Sequence, residues 1–390
     1  MPGTHEPLTD PLVVPGLHAR DPWSVYARLR AEAPVAWNDT VGFWALSRYA
    51  EVHEVSCDPE RFSSKGGILT MEIGIEYPTP PTMMHTDPPD HTAYRKLVQP
   101  GFKPSLMTAL EPVARERLLT LLANVEADEP VDFVPAVSVP FPLRIIGDLL
   151  GLPDSDWETF FYWSEATIPG ALEIDAEERA RIQADMRDYF LGVIAERRAE
   201  PREDLISVLV AEDLNDDELY MFLNQLLVAG NETTRNTISG GLWALAEHPA
   251  QWQRLVDDPS LVPSAVEEIL RWTTAVISFM RTATEDTTLG DQAIAAGDPV
   301  LMLYASANRD EAQFGPTADR FDVGRNPNHH LAFGFGAHYC IGAALARLEV
   351  RLVLEELLAR YRTMTPAGPV AHSPSDIIAG VTSAPLLFTS

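Results

Sequence analysis

Phe333-Gly-Phe-Gly-Ala-His-Tyr-Cys-Ile-Gly342 is the most informative stretch of this 390-residue sequence. It is a loop punctuated by glycines, and it runs into a predicted long helix from Ile341 to Arg360. Cys340 is therefore expected at the N-terminus of that helix, where free backbone N–H groups and the positive end of the helix dipole stabilise a thiolate. A thiolate is the form of cysteine that ligates iron.

Two simpler explanations of this loop exist. A lone cysteine is most often a small core residue. A glycine-rich loop also binds phosphate in some proteins, but the spacing here is not G-x-G-x-x-G and no strand-to-helix unit with a downstream acid follows. Gly334, Gly336 and Gly342 would instead let the backbone lie close to a flat macrocycle. The whole string therefore favours an iron ligand at Cys340 over an inert cysteine.

The charge balance excludes some classes of partner. The chain carries 57 Asp and Glu against 29 Lys and Arg, a net charge of −28, which argues against general affinity for nucleic acid or an anionic membrane. Its two cysteines, Cys57 and Cys340, form no disulfide framework, so a reducing, cytoplasmic location is the simplest expectation. We expect no role for Cys57. The sequence shows no signal peptide and no apolar run long enough to cross a membrane, so no membrane anchor is expected.

Hydrophobic periodicity predicts one mainly α-helical domain with a small β portion over residues 1–390, with residues 1–21 as an N-terminal extension. The longest predicted helix runs from Asp216 to Ala246 and is apolar on most faces, which is typical of a central helix. The other predicted helices cover residues 22–33, 47–57, 105–125, 139–150, 154–168, 176–199, 263–272 and 341–360, and one more starts near residue 90. Short strands are predicted at 43–46, 276–282, 287–289, 299–303 and 385–388. A proline-rich loop covers Gly66 to Pro89, and a turn lies around Pro169.

The Cys340 loop resembles the haem-binding loop of the cytochrome P-450 superfamily, Phe-x-x-Gly-x-x-x-Cys-x-Gly, and further motifs of that family occur in the same order from about Trp23 to Phe388. The pattern is that of the soluble bacterial branch. The resemblance implies the cytochrome P-450 fold, a single triangular-prism-like domain with a long central helix over the haem. It also implies that Cys340 is the axial ligand of the iron in haem b, iron protoporphyrin IX.

Glu268 and Arg271 are three residues apart and share a face of a predicted helix. Taken alone, such a pair is commonly a solvated surface ion pair. In the family that the sequence resembles, Glu-x-x-Arg is a buried structural pair with a third, arginine partner further along the chain. The resemblance makes Arg320 the candidate for that partner, in a folding role.

His91 and Arg95 share a helix face, four residues apart. A haem carries two propionates, which need cations and hydrogen-bond donors. The resemblance assigns that task to His91 and Arg95, and adds Arg281 in a strand and His338 in the cysteine loop. Each of these residues taken singly is more often a surface residue, but the ordered set favours a cofactor site.

Ala229-Gly-Asn-Glu-Thr-Thr234 places a glycine and polar side chains inside the long apolar helix, which is locally unfavourable. A functional notch and a packing cleft against another helix both explain such a string. The string resembles the oxygen-binding groove of the cytochrome P-450 superfamily. The resemblance implies that Thr233 hydrogen-bonds iron-bound dioxygen and that Glu232 helps to relay protons, with the neighbouring Thr234 as the less favoured hydroxyl.

The substrate pocket is predicted from apolar residues near these motifs, in the Gly66–Pro89 loop, the Pro169 turn and the segments around 229, 276 and 377. Simple core packing is the alternative for each position, and an apolar substrate fits a mostly apolar pocket. The predicted pocket residues are Ile68, Leu69, Ile73, Ala229, Val276, Ile277 and Ile378.

The resemblance implies a haem-thiolate monooxygenase that inserts one atom of dioxygen into a C–H bond. Several stretches resemble actinobacterial enzymes that oxidise steroids, terpenoids and branched lipids, and macrolide or other antibiotic tailoring is the alternative. Electrons from NAD(P)H would come through a separate ferredoxin, or a flavodoxin, and its reductase. This partner is expected to dock on the cysteine side, near Arg347 and Arg351.

Three rival functions remain open at this point. A peroxygenase would not need the Glu232-Thr233 pair, and a haem-binding sensor or carrier would not need the oxygen groove. A helical protein without a cofactor would use Cys340 only as a buried residue. The colour and the CO-bound spectrum of the purified protein distinguish these classes.

Overall fold

Helices make up most of the fold, as the periodicity predicts. The computed structural model describes residues 8–75, 82–168 and 174–390. The α-helices are α1 (Leu17–Arg20), α2 (Trp23–Glu32), α3 (Tyr49–Cys57), α4 (Asp90–Val98), α5 (Pro104–Leu122), α6 (Pro140–Leu150), α7 (Trp157–Thr167), α8 (Ala176–Ala199), α9 (Leu205–Val210), α10 (Asp216–Glu247), α11 (Pro249–Asp257), α12 (Val262–Thr273), α13 (Tyr304–Ala307), α14 (Glu311–Phe314) and α15 (Ala343–Arg360). The strands are β1 (Val35–Asn38), β2 (Phe43–Leu46), β3 (Phe62–Ser63), β4 (Pro130–Asp132), β5 (Ser278–Ala283), β6 (Thr287–Leu289), β7 (Gln292–Ile294), β8 (Pro299–Leu303), β9 (Thr363–Pro366), β10 (Ala371–His372), β11 (Val381–Ser383) and β12 (Pro385–Thr389).

The 32-residue helix α10 is the axis of the fold, and its predicted bounds are confirmed to within one residue. A capping box starts it: the Asn215 side chain accepts from the N–H of Glu218 at 3.0 Å, and the Glu218 carboxylate accepts from the N–H of Asn215 at 3.0 Å. α10 packs against α6, α7, α8, α12 and α15. This surrounding of helices explains why α10 is apolar on most faces.

The main sheet joins distant parts of the chain. Its strand order is β1-β2-β8-β5-β3, in which β2 and β8 run parallel and the other pairs are antiparallel. A second sheet has the order β4-β12-β9. The predictions for β2, β6 and β8 are confirmed, whereas β1, β4 and β9 were missed.

The Glu268–Arg271 pair of α12 is buried, and both side chains are 0% exposed. The Arg271 guanidinium grips the Glu268 carboxylate with two bonds of 2.7 and 2.8 Å. The prediction of Arg320 as the third partner is wrong. Arg325 takes that place with a bond of 3.1 Å from its Nε to Glu268 Oε2, while Arg320 is exposed and contributes only its carbonyl oxygen, which accepts from Arg271 at 2.9 Å.

Two predicted features fall partly or wholly outside the described residues. The predicted Gly66–Pro89 loop is described only up to residue 75 and from residue 82, where short 3-10 turns form at Thr70–Glu72 and Met83–His85. The turn around Pro169 lies outside the described residues. Within the parts of the chain that the structure describes, no helix is both long enough and apolar enough to span a membrane.

Candidate active site

The loop before α15 is folded back on itself around Cys340. The Cys340 N–H donates to the carbonyl oxygen of Phe333 at 2.9 Å. Gly334 and Gly336 have φ values of +64° and +68°, in the left-handed region that favours glycine. A Cβ at Gly336 would lie 2.1 Å from the carbonyl oxygen of Ser56, near the end of α3. The loop therefore requires glycine at position 336 for both its backbone angle and its packing.

The start of α15 surrounds the sulfur of Cys340 with backbone N–H groups. The helix begins at Ala343 rather than at the predicted Ile341. Burial raises the pKa of the Cys340 thiol, while hydrogen bonds from the backbone of Gly342 and Ala343 oppose that rise. These N–H groups stabilise a thiolate, as the position of the cysteine at a helix start predicts.

A cavity of about 230 Å³ has Cys340 in its wall. The long helix α10, the first turns of α4, the strand β5 and the cysteine loop all contribute to this wall. The predicted site residues in the wall are His91, Arg95, Ala229, Thr233, Arg281, His338 and Cys340. The fold thus brings together residues that are dispersed over most of the sequence.

Arg95 and Arg281 form a cationic part of the cavity. Arg95 Nη1 donates to the carbonyl oxygen of Ala337 at 3.5 Å, and Arg281 Nη1 donates to that of Met280 at 2.6 Å. Among the described residues, neither guanidinium has a carboxylate within ion-pair distance. Burial lowers the pKa of both arginines. Arg281 is buried and Arg95 is half-buried, and two such guanidinium groups without anionic partners make a site for a ligand with negative charges.

His91 and His338 lie beside these arginines, with their ring centroids 4.2 Å apart. Burial, followed by the charge of Arg281, lowers the pKa of His338 to about 3. Burial, followed by the charge of Arg95, also lowers the pKa of His91. The two imidazoles are therefore neutral near pH 7, and each offers one N–H as a hydrogen-bond donor. His338 Nε2 lies 3.1 Å from the hydroxyl oxygen of Ser64.

The segment from Ala229 to Thr234 stays helical, without a break in α10. Thr233 and Thr234 both line the cavity, but Thr234 is 5% exposed, whereas Thr233 is more accessible. The Thr233 hydroxyl donates to the carbonyl oxygen of Ala229 at 2.9 Å. Thr233 is therefore the more accessible hydroxyl in this part of the wall.

Packing explains why a glycine occupies position 230 in this segment. A Cβ there would lie 3.0 Å from Cγ1 of Ile146 in α6, so the glycine allows α6 to approach α10 closely. The glycine therefore makes a packing cleft, while the two threonines of the following helical turn face the cavity.

Glu232 is not part of the cavity wall but lies in a buried polar network behind it. Its carboxylate pairs with the Arg235 guanidinium, which also donates to Glu165 of α7 at 3.0 Å. Asn236 Nδ2 donates to Glu232 Oε1 at 3.2 Å. Burial is the largest cause that raises the pKa of Glu232, to about 8. The sequence reasoning missed Arg235, although its i,i+3 spacing from Glu232 is the same signal that identified Arg271.

The residues predicted for the substrate pocket fall into two groups in the structure. Ile68, Ala229 and Val276 line the cavity. The remaining predicted positions, Leu69, Ile73, Ile277 and Ile378, are not among its lining residues.

Alternation along extended backbone accounts for two of these errors. Ile277 is 2% exposed and packs in a core with Tyr26 and Leu29, because adjacent residues in extended backbone point to opposite faces and Val276 already faces the cavity. Leu69 is extended, with φ −122° and ψ 150°, and follows the cavity-lining Ile68 for the same reason.

Core packing accounts for the other two errors. Ile73 packs against the core that contains Ile277. Ile378 is 7% exposed and forms a β-bridge with Val276. Side chains that the sequence reasoning missed in the cavity wall include Met83, Gln225 and Phe279.

The arginines expected at the docking surface already have carboxylate partners. Arg347 bonds to Glu267 at 2.7 Å, and Arg351 bonds to Glu111 at 2.7 Å. Burial opposes ionisation of Glu267, but hydrogen bonds from His330 and Arg347 outweigh it and lower its pKa to about 2. A partner that uses these arginines must therefore compete with intramolecular ion pairs. Cys57 is exposed, outside the cavity wall.

Comparison with known proteins places the chain in a family. The family model described as cytochrome P-450 matches residues 148–386. Cytochrome P-450 130 of Mycobacterium tuberculosis is 39% identical over 359 residues, 87% of this chain and 88% of that protein. Steroid C26-monooxygenase of the same species is 38% identical over 383 residues, 95% of this chain and 94% of that protein. The solved structure of a mutant of P-450 EryK in complex with erythromycin B superimposes with a TM-score of 0.88 at 36% identity, over 97% of this chain and 98% of that chain.

The fold and these similarities define the class of the protein: the chain is an oxidoreductase of the monooxygenase type. It belongs to the cytochrome P-450 family, whose members carry haem. The residues present in the cavity fit that group by their chemistry, since they offer one thiol, two unpaired guanidinium groups and two neutral imidazoles beside one another.

Proposed function

We propose that this chain inserts one oxygen atom of dioxygen into a C–H bond of an apolar small molecule, a steroid or terpenoid, with haem b held by Cys340. The single observation that carries the proposal is that one cavity wall contains Cys340, Thr233 and the Arg95–Arg281 cation pair. Thiolate-ligated haem supplies the reductive activation of dioxygen when it is bound. The roles below belong to the residues of the chain itself.

Arg95 and Arg281 are proposed to bind the two propionates, with His91 and His338 as neutral donors. A haem with two ionised propionates brings two negative charges, and the cavity wall offers two guanidinium groups that lack carboxylate partners among the described residues. Charge-assisted bonds of this kind are about twice as strong as neutral ones. The cation pair therefore orients the cofactor as well as binding it.

Thr233 is proposed as the hydroxyl that orients dioxygen, and Glu232 as the acid that supplies protons to this side of the cavity. The accessibility of the Thr233 hydroxyl supports the first role. The raised pKa of Glu232, to about 8, supports the second, because a carboxyl group must hold a proton in order to donate one.

The substrate class rests on the lining and on the relatives. Ile68, Met83, Val276 and Phe279 give the cavity a mostly apolar wall, which suits a steroid or terpenoid. A steroid C26-monooxygenase is among the relatives. Macrolide or other antibiotic tailoring is the second candidate, favoured by the structural similarity to the erythromycin-bound EryK.

Electrons are proposed to come from NAD(P)H through a ferredoxin, or a flavodoxin, and its reductase, with the enzyme working in the cytoplasm. The docking side is expected to be the face that carries Arg347 and Arg351.

The iron ligand is tested by the spectrum of the reduced, CO-bound protein. Wild type should contain haem and show the red-shifted Soret band of thiolate ligation, Cys340→Ser should lose that band, and Cys57→Ser is the matched control that should keep it. A colourless protein that reconstitutes no haem would sink the proposal, and a histidine-type spectrum in wild type would remove Cys340 as the ligand.

The oxygen groove is tested by Thr233→Ala. This variant should keep haem and substrate binding but divert electrons from product to peroxide, because the hydroxyl that orients dioxygen is gone. Thr234→Ala is the neighbouring control and should keep the coupling of reductant to product. Unchanged coupling in Thr233→Ala contradicts the assigned role.

The substrate class is tested by titrating the ferric protein with steroids, terpenes, fatty acids and macrolides and recording the spectral shift that reports displacement of water from the iron. Steroids or terpenes are expected to bind most tightly. Saturation by macrolides alone would instead select the second candidate.

A further inference from the structure

Arg235 lies between two carboxyl groups from two different helices. Its guanidinium pairs with Glu232 on its own helix, α10, and donates to Glu165 Oε1 on α7 at 3.0 Å. The three side chains are almost fully buried, at 7% exposed for Arg235, 11% for Glu165 and 6% for Glu232. The site is therefore shielded from solvent, and its charges act on one another strongly.

The charges in this network do not balance if both carboxyl groups are ionised. Arg235 supplies one positive charge, and the charged groups that face Glu232 in the described part of the chain are Arg235 and Glu165. Glu165 also lies within hydrogen-bonding reach of the Glu232 side chain. A neighbouring negative charge in a buried site opposes ionisation of a carboxyl group, so Glu165 favours the protonated form of Glu232.

Several contacts favour Glu232 as the group that carries this proton. Its Oε2 has no hydrogen-bond partner among the described residues, while its Oε1 accepts from Asn236 at 3.2 Å. The pKa of Glu232 is raised to about 8: burial is the largest cause, the charge of Arg235 opposes the rise, and Glu165 contributes to it. A protonated Oε2 is thus compatible with every contact that the carboxyl group makes.

We propose that Glu232 holds a proton at neutral pH, and that Glu165 is the positioning residue that keeps Glu232 protonated behind Thr233. This inference rests on the proposed function, in which Glu232 supplies protons, and names the second residue of that supply. Glu165 acts only through Glu232, since it is not among the residues that line the cavity.

The packing of α7 on α10 fixes this pair. Asn231 Nδ2, next to Glu232, donates to the hydroxyl of Ser164, next to Glu165, at 3.3 Å. The Phe161 ring, one turn earlier on α7, lies 5.5 Å from the Arg235 guanidinium carbon. The separation of the two helices therefore sets the proton affinity of Glu232, which couples the position of α7 to the proton supply.

Infrared spectroscopy of the haem-loaded protein tests this inference without turnover. The C=O stretch of a protonated carboxyl group is assigned to Glu232 by subtracting the spectrum of Glu232→Gln from that of wild type. Glu349, a buried carboxyl group whose pKa burial also raises, is present in both proteins and cancels in the difference. The Glu232 band should be present at neutral pH and should disappear with a midpoint near the pKa of about 8.

Variants of Glu165 then test its role. Glu165→Gln should lower the midpoint of the Glu232 band by about one to three pH units, because the neighbouring negative charge is lost and Arg235 remains. Glu165→Asp retains the carboxylate and should keep the midpoint raised. Glu158→Gln makes the same chemical change at an exposed position of α7 and should leave the midpoint unchanged.

Two results overturn the inference: a difference spectrum without a Glu232 band at neutral pH, or a Glu165→Gln midpoint equal to that of wild type. If Glu165→Gln does not fold, the wild-type titration and Glu165→Asp still decide, because absence of the band refutes a protonated Glu232 and its presence with the raised midpoint supports one. Failure of the proposed function would appear separately, as loss of the thiolate CO spectrum with the infrared band intact.

Discussion

Replacing Arg325 by Ala should destabilise the fold strongly, whereas the same change at Arg320 should have little effect. Arg325 bonds to Glu268 Oε2 at 3.1 Å and also donates to the carbonyl oxygens of Phe314, Thr317 and Arg320 at 3.4, 2.7 and 3.1 Å. Its side chain is 9% exposed, and that of Glu268 is 0% exposed. The Arg320 side chain is exposed.

The magnitude follows from which groups keep a partner. Removing one member of a buried ion pair costs about 3–5 kcal/mol when the other charge is left unpaired. Glu268 keeps Arg271, and the Arg320 carbonyl also keeps its bond from Arg271, so the full penalty does not apply. The loss of one charge-assisted bond, at about 1.5–3 kcal/mol, and of weaker bonds to carbonyls gives about 3 kcal/mol for Arg325→Ala. Arg320→Ala should change the free energy of unfolding by less than about 0.5 kcal/mol.

Urea unfolding followed by tryptophan fluorescence, at equal haem saturation in every variant, measures these free energies, because cofactor binding itself adds to the apparent stability. Arg325→Lys is an informative intermediate, since it keeps the charge but loses the planar fork that reaches several acceptors. A stability of Arg325→Ala within about 0.5 kcal/mol of wild type, or a larger loss in Arg320→Ala, would refute the reasoning.

Other parts of the site give three further expected outcomes. The pKa of Glu267 is lowered from 4.5 to about 2, so its contribution to stability is complete above pH 4.5 and is lost as the pH falls toward 2. The free energy of unfolding of wild type should therefore converge on that of Glu267→Gln in acid. A difference between the two proteins that stays constant with pH contradicts the assignment. Gly336→Ala should lose the thiolate CO spectrum, since its Cβ would lie 2.1 Å from a backbone oxygen. Gly16→Ala is the control, because Gly16 has a similar φ of +75° but no atom within 4 Å, and it should keep the spectrum and lower the free energy of unfolding by only about 1–2 kcal/mol. Equal CO spectra in the two variants would contradict this reasoning. Val276→Ala should change the Kd of ligands measured by spectral titration, because Val276 lines the cavity. Ile277→Val should leave the Kd unchanged and lower the free energy of unfolding by about 0.5–1.5 kcal/mol, because Ile277 packs in the core. The reverse pattern would show that Ile277, and not Val276, lines the cavity.

Helical periodicity, helix-capping residues and apolar runs in the sequence predicted much of the fold. The start of α10 is encoded locally by Asn215 and Glu218, which cap the first turn, so its bounds could be found without tertiary information. β2 and β8 could be recognised because each is a compact apolar run. β4 and β9 could not, because they are defined only by pairing with β12 and carry little hydrophobic pattern of their own.

Site residues could be predicted where a motif fixes their spacing within one helix or loop. They could not be predicted where their contacts depend on the three-dimensional course of an irregular segment. Arg320 and Arg325 lie in one irregular segment, and only the three-dimensional turn decides which guanidinium reaches Glu268. In the substrate pocket, the choice between Val276 and Ile277 depends on which face of an extended segment meets the cavity, and hydrophobicity is the same for both. Glu165 carries no local signal at all, because its contact with Arg235 comes from the packing of α7 on α10.

The main sheet can be completed only late in the synthesis of the chain. β2 pairs in parallel with β8, and the Trp44 indole N–H donates to Asp298, 254 residues further along the chain. The β1–β2 hairpin therefore leaves the ribosome with an open edge that stays unpaired until most of the polypeptide has been made. During that interval the hairpin is an exposed template for association with other chains, so slower translation before β8 should increase aggregation of the nascent protein even though the finished fold covers that edge.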